Sequence, residues 1–405
     1  MNIIKLAFDN LWYNKTRTIL NMILIIVSFI SLMMISGYNN FTKEGIIISV
    51  NTSGGSVVIA DKSYWDTKSE KINMLSNNDF DIIYKKLDTI GEVNDYQKKL
   101  DISGLVGNES KSKFFSGYAY EKPSKIMSTV SIKEGTPIFD DDINTFVLGK
   151  DLGEFFNLNY NEEPYLNLMT DFGEGISLGS LMAVGAISLN NSASDAITIY
   201  SPLNAIYEIF GLEYGNAHNL LVYLKDYKKA TEIKNNLNQY FNENNLNYEA
   251  KDWKDLNAFL LSVIEMNTNN YLIALFILSI LVFVSVMQML TTNFLERLNE
   301  FGTMRALGIN IKNVTLLLFL EIIIMAVLSS LISIIISYGA ASILNASNFI
   351  MKFPGATDGY PLSLLLTFKD TVLIFAWVLS VSILAGIYPI IKVIKMPIIE
   401  VIKYV

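Results

Sequence analysis

YLIALFILSILVFVSVMQMLTTNFLERLNEFGTMRALGINIKNVTLLLFLEIIIMAVLSSLISIII, residues 271–336, is the stretch whose reading decides the fold. Residues 271–290 are apolar over a length that crosses about 30 Å of hydrocarbon, and 315–336 are a second such run interrupted by one carboxylate, Glu321. Between them, residues 291–314 form a charged connector. Phe294, Leu298, Phe301 and Arg305 recur at helical spacing on one face, Glu296, Glu300 and Thr303 on another, and Gly308 is placed to end the helix.

Two further runs of spanning length occur at 19–37 and 371–391, so four transmembrane helices are expected. The polar segments alternate in charge. Residues 1–18, 291–314 and 392–405 together hold nine Lys or Arg against four Asp or Glu, whereas 38–270 holds twenty against thirty-two. All three arginines, Arg17, Arg297 and Arg305, fall in the first set. By the positive-inside rule both termini and the connector are cytoplasmic, while 38–270 and the shorter loop 337–370 lie outside. The net charge of −8 averages unlike compartments and points to no nucleic acid.

The first run follows Lys5, Lys15 and Arg17 as a secretory signal would, but bulky residues follow it where a small-residue cleavage pattern belongs, so it reads as an uncleaved anchor. Upstream, residues 1–18 put Ile4, Ala7, Phe8, Leu11 and Trp12 on one side, which suits either an interfacial helix on the inner leaflet or a helical extension of the first span.

The outside segment alternates strands and helices. Strands are expected at 56–60, 93–106, 113–120, 196–200, 220–224 and 248–250, with helices near 78–87, after Ser201-Pro202 as far as Gly211, and after Asp226 with Ala230, Ile233, Leu237 and Phe241 inward. Punctuated short strands fill the middle, including a strand passing into a short helix at 146–158. The expectation is an α/β lobe made from both ends of the domain, with a β-rich lobe, about 121–191, inserted in it. From about Asp255 the chain stays helical into the second span with no Pro or Gly, and such a helix would transmit rigid-body motion.

Catalysis finds little support. One histidine, His218, read as a surface residue, cannot build a multi-histidine site, and the absence of cysteine removes thiol chemistry. No GxxxxGK[ST] occurs, so any ATP dependence resides in a partner. Asp140, Asp141 and Asp142 lack the alternation and turn glycine of a calcium loop and read as a solvated loop; Lys150 and Asp151 beside Gly149 read as a strand-to-helix turn. No metal or directly bound cofactor is expected. Glu321, ionisable inside a span, is either a functional group or a carboxylate near the inner interface paired with Arg305 or a serine. Ser329, Ser330, Ser333 and Ser337, with Gly339 and Ala340, form a small-residue seam that suggests assembly with another membrane subunit. Phe294, Leu298, Phe301, Met304 and Leu307, in a cytosolic segment, need something to cover them, which makes the connector a docking helix.

Leu295–Gly308, LERLNEFGTMRALG, resembles the connector of the MacB/FtsX-like permeases of ABC transporters, where E-R, E-x-G and R-A-x-G recur before the third span. Glu296-Arg297, Glu300-Phe301-Gly302 and Arg305-Ala306-Leu307-Gly308 match it. Glu321 stands where that family often has a glutamate, and Pro389 with Pro397-Ile398-Ile399-Glu400-Val401 is similar to its closing segment. Residues 146–158 resemble a motif of its periplasmic core domain, and Trp253 falls where that domain returns to the membrane. Asn161-Glu162 replaces the common Gly-Asp, and serines replace glycines in the third span.

The resemblance implies a four-helix membrane protein with a large α+β extracytoplasmic domain of the periplasmic core type, in the bacterial cytoplasmic membrane. It implies pairing with a second permease, as homo- or heterodimer, and docking of each connector, through Phe294 to Gly308, on a cytoplasmic ABC ATPase that uses the ATP. The size of the outside domain is most like that of lipoprotein-releasing permeases, which hand lipid-anchored proteins to a carrier. The alternative is a mechanical signaller of the cell-division type that activates a cell-wall hydrolase.

Overall fold

The computed structural model describes residues 3–13, 15–66, 72–172, 175–296, 311–351 and 360–395. The chain divides into two units: Met1–Glu44, Ser262–Ile350 and Pro361–Val405 form the first, Gly45–Leu261 and Met351–Tyr360 the second.

Four helices of the described residues are long and apolar enough to cross a membrane: Thr18–Gly54, Ala258–Thr292, Lys312–Ala346 and Phe368–Ile391. The first belongs to a helix, Lys15–Gly54, that does not stop at Gly37 as the apolar run suggested. Gly37 is a packing residue: a Cβ there would stand 2.7 Å from Leu366 Cδ2. The helix then runs on through Gly45 into Ile46, Ile47 and Ile48. The second, within Ala258–Glu296, is unbroken over 39 residues.

Lipid tails are as apolar as leucine, so close packing rather than water exclusion holds such helices together. Ile25, Phe29, Val286, Met289, Leu318, Met325, Val378 and Ala385 meet in one buried cluster drawn from all four helices. Gly386 admits Ile322, whose Cδ1 lies 2.3 Å from where a Cβ would stand. Some polar side chains pair across helices, as a medium without water favours: Ser285 Oγ donates to Asn21 Oδ1 at 3.1 Å, and Trp377 Nε1 to Ser279 Oγ at 2.7 Å. The serine seam is used inside this chain. Ser329, Ser330, Ser333 and Ser337 are all buried, and Ser333 Oγ donates to the Ser329 carbonyl at 2.6 Å while lying 3.5 Å from that of Ile26 in the first span. It is therefore not a free face for another subunit, a correction to the expectation; of that set Gly339 faces open space.

The second unit is built on one ten-stranded sheet: β1 (Val57–Asp61), β2 (Val93–Gly107), β3 (Ser112–Tyr120), β4 (Ser131–Gly135), β5 (Thr145–Gly149), β6 (Tyr165–Asp171), β7 (Ile176–Ser188), β8 (Thr198–Pro202), β9 (Asn219–Leu224) and β10 (Tyr248–Asp252). The order is β10-β1-β9-β2-β3-β8-β5-β7-β4, and β6 pairs with both β2 and β7. Those pairings close a ring, β2-β3-β8-β5-β7-β6, around Leu100, Phe115, Phe146, Leu166, Leu181 and Ile199. The inserted lobe expected at 121–191 is thus not separate. Its strands hydrogen-bond to β2 and β8 from outside that range, and Gly104 makes this possible, because a Cβ there would stand 1.9 Å from the Met169 carbonyl oxygen.

Helix Ala230–Glu243 buries Ala230, Ile233, Leu237 and Phe241, and Asp226 caps the turn before it by accepting the Lys228 N–H at 3.0 Å. The helix Leu203–Phe210 starts one residue later than Ser201-Pro202 suggested. Pro202 is its N-cap, while the Ser201 hydroxyl donates to the Thr145 carbonyl of β5 at 3.1 Å; Gly211 closes it with φ 68°.

Candidate coupling site

The connector is framed by two helix ends that pack into the same membrane core, Met289 and Leu290 on one side and Val314 and Leu317 on the other. Near the first end, Thr291 and Thr292 return their hydroxyls to the carbonyls of Met287 and Gln288 at 2.8 and 2.9 Å. Leu295 is exposed. Phe294 and Glu296 belong to the last turn of the helix Ala258–Glu296. Arg297, Leu298, Glu300, Phe301, Met304, Arg305, Leu307 and Gly308 lie outside the described residues, and the next described helix runs from Ile311 to Ala346.

Glu321, two to three turns into that helix, is 2 % exposed. A buried carboxylate needs hydrogen-bond donors, and Asn10 supplies one: its Nδ2 donates to Glu321 Oε1 at 2.8 Å. Asn10 sits in the separate helix Ile3–Tyr13, where Ala7 and Leu11 are buried in the membrane core. Ala7, Asn10 and Leu11 lie at i, i+3 and i+4 and so share the face toward the third span. Phe8 and Trp12, expected on that same side, instead stack on each other at 6.3 Å on an exposed face beside Tyr13. Lys15 Nζ lies 5.8 Å from the Trp12 ring. Asn10, 311 positions upstream, is a partner that no periodic signal announces, while Arg305, expected beside Glu321, lies outside the described residues.

The other candidate residues are structural. His218 is not a surface residue: it is half-buried between Tyr64 and β2, and its Nδ1 accepts the Asp101 N–H at 3.0 Å. Burial lowers its pKa, and Lys99 nearby acts in the same sense against Asp101, so the ring is held neutral. Asp140 accepts the Ser124 N–H at 2.9 Å, at the start of the helix Pro123–Met127, and Asp142 accepts the Phe139 N–H of its own turn at 2.8 Å. Asp151 accepts from Ser192 at 2.9 Å and Lys150 pairs with Glu154 at 3.4 Å, beside a Gly149 whose Cβ would collide with the Asp195 carbonyl. Among the described residues no three His, Cys, Asp or Glu converge on a point that could hold a metal ion.

Residues 272–398 match the family described as FtsX-like permease C-terminal, a range that contains the connector, Glu321 and Pro389. No curated protein sequence matches the chain. Among solved structures, the periplasmic region of MacB from Actinobacillus actinomycetemcomitans is similar at 13 % identity and TM-score 0.38, covering 52 % of this chain and 95 % of its own. The extracellular domain of the noncanonic ABC-type transporter YknZ from Gram-positive bacteria is similar at 11 % identity and TM-score 0.35, covering 48 % of this chain and 99 % of its own. The chain thus combines four helices long and apolar enough to cross a membrane, an α+β domain between the first two, and a match to the FtsX-like permease C-terminal family over residues 272–398.

Proposed function

We propose that this chain is the permease subunit of an ABC transporter. Its connector docks on a cytoplasmic ATPase, and nucleotide-driven closure of two such subunits moves the domains outside. The observation that carries the reading is the family match over 272–398, a range that includes the connector with Glu296, Arg297, Glu300, Arg305 and Gly308. The unbroken helix Ala258–Glu296 supports it, since a helix without a hinge moves as one piece. Both termini and the connector are cytoplasmic in this account, in keeping with the charge asymmetry.

The substrate is an amphiphile released from the outer face of the cytoplasmic membrane, with lipid-anchored proteins the foremost class and a carrier outside to receive them. Proteoliposomes holding the permease, its ATPase and a fluorescent lipid-anchored protein test this: ATP should release the label to an added acceptor, and a non-hydrolysable analogue should not. Retention of the label with ATP, together with ATP-dependent stimulation of a cell-wall hydrolase, would replace release by signalling.

A further inference from the structure

The outer face of the strand ring carries an apolar track one side chain wide. Pairing aligns Phe114 of β3 with Leu105 of β2, Leu105 with Met169 of β6, and Met169 with Leu178 of β7. Successive residues on a strand point to opposite faces, and Phe115, Val106 and Leu168 are buried in the ring. Their neighbours in the track therefore all point outward. Phe114 is 55 %, Leu105 40 % and Leu178 70 % exposed, with Met169 half-buried between them. Three inter-strand spacings give the track a length of about 14 Å.

We propose that this track is the resting place of a single saturated acyl chain carried by a lipid-anchored protein. The inference rests on the amphiphile reading above. Four side chains offer roughly 300 Å² of apolar surface, far below the ~800 Å² per partner that a stable protein–protein interface requires, so a folded partner or a second copy of the chain is too large an occupant. The borders are short and nearly uncharged. Gly107 pairs with Ser112 and Asn167 along one side, and Ser103 pairs with Ser116 along the other. Asp171 is the charged residue on that border, next to the exposed Ile176 that lengthens the apolar end. Small borders leave room for a chain to lie on the sheet, and the near absence of charge selects a neutral tail over a charged segment.

The test uses the full-length protein in lipid nanodiscs with a synthetic N-palmitoyl peptide bearing a mid-chain diazirine. Photolysis followed by mass spectrometry should place adducts on residues 103–116 and 165–180. Leu105→Asp and Leu178→Asp should each reduce them at least fivefold, with unchanged near-ultraviolet circular dichroism. Phe139→Asp, an equally exposed site off the track, should leave them unaltered. Adducts confined to the membrane helices, equal loss with Phe139→Asp, equal labelling by a diazirine phosphatidylcholine, or protein–protein cross-links at the track would each overturn the proposal. None of these readouts depends on ATPase docking, so a failed track leaves the permease assignment standing.

Discussion

Asn10 Nδ2 lies 2.8 Å from Glu321 Oε1, joining the helix ahead of the first span to the interior of the third. Ala7 and Leu11, on the same face as Asn10, are buried with Val314, Leu318 and Met325 in the membrane core. The helix that begins Ile311 leads directly out of the connector. A displacement of the connector that tilts the third span would therefore have to carry Ile3–Tyr13 with it or break this bond.

Glu321→Leu removes the acceptor and leaves the Asn10 amide facing an apolar side chain, which should cost about 1–3 kcal/mol. Asn10→Leu takes one donor from the buried carboxylate and should cost a similar amount. The double variant should lose less than the sum of the two single losses, since the bond between the two residues is lost only once. Thermal unfolding in mild detergent measures all three; strictly additive losses would show that the pair is not coupled.

Gly386→Leu drives a side chain into Ile322 and Leu290, whose nearest atoms lie 2.3 and 3.4 Å from the new Cβ. Overpacking of this kind costs about 1–3 kcal/mol. Gly339→Leu, with nothing within 4 Å, should leave the unfolding temperature unchanged. Equal effects at both positions would contradict the helix packing described.

Asp95 lies in the second unit between Lys122 and Lys125, whose Nζ atoms both lie 2.8 Å from it. Burial raises its pKa, but hydrogen bonds from Lys122 and Lys125 outweigh that and hold the carboxyl at about 2. The folded value is below the unfolded one of about 3.9. Its contribution is therefore present above pH ~4 and is lost as pH falls toward about 2. Unfolding profiles between pH 5 and 2 should show wild type losing its advantage over Asp95→Asn across that window, and a pH-independent difference would refute the ion-pair account.

Much of this architecture was legible because it rests on local pattern. Ala230, Ile233, Leu237 and Phe241 announce their helix by spacing, Asp226 and Gly211 mark ends by cap chemistry, and the four spans follow from unbroken apolar length. The features that escaped depend on distant partners. The ring closes because Gly104 lets β6 reach β2 across 60-odd residues, and nothing in Tyr165–Asp171 itself names that neighbour. Ser201 looked like an N-cap, yet β5 takes its hydroxyl. Serines 329 to 337 looked like an interface between subunits because a seam of small residues does not say which helix will fill it. The connector motif is the reverse case: explicit in the residues, while Arg297 to Gly308 lie outside the described structure.

The central claim, that the connector docks an ABC ATPase, is tested most directly by purifying the tagged protein in mild detergent and identifying by mass spectrometry what accompanies it. Wild type should retain an ABC ATPase, and Arg305→Glu or Glu300→Lys should lose it while inserting in the membrane at the wild-type level. An ATPase held equally by both variants would remove the connector from the interface, and none held by wild type would contradict the permease account itself.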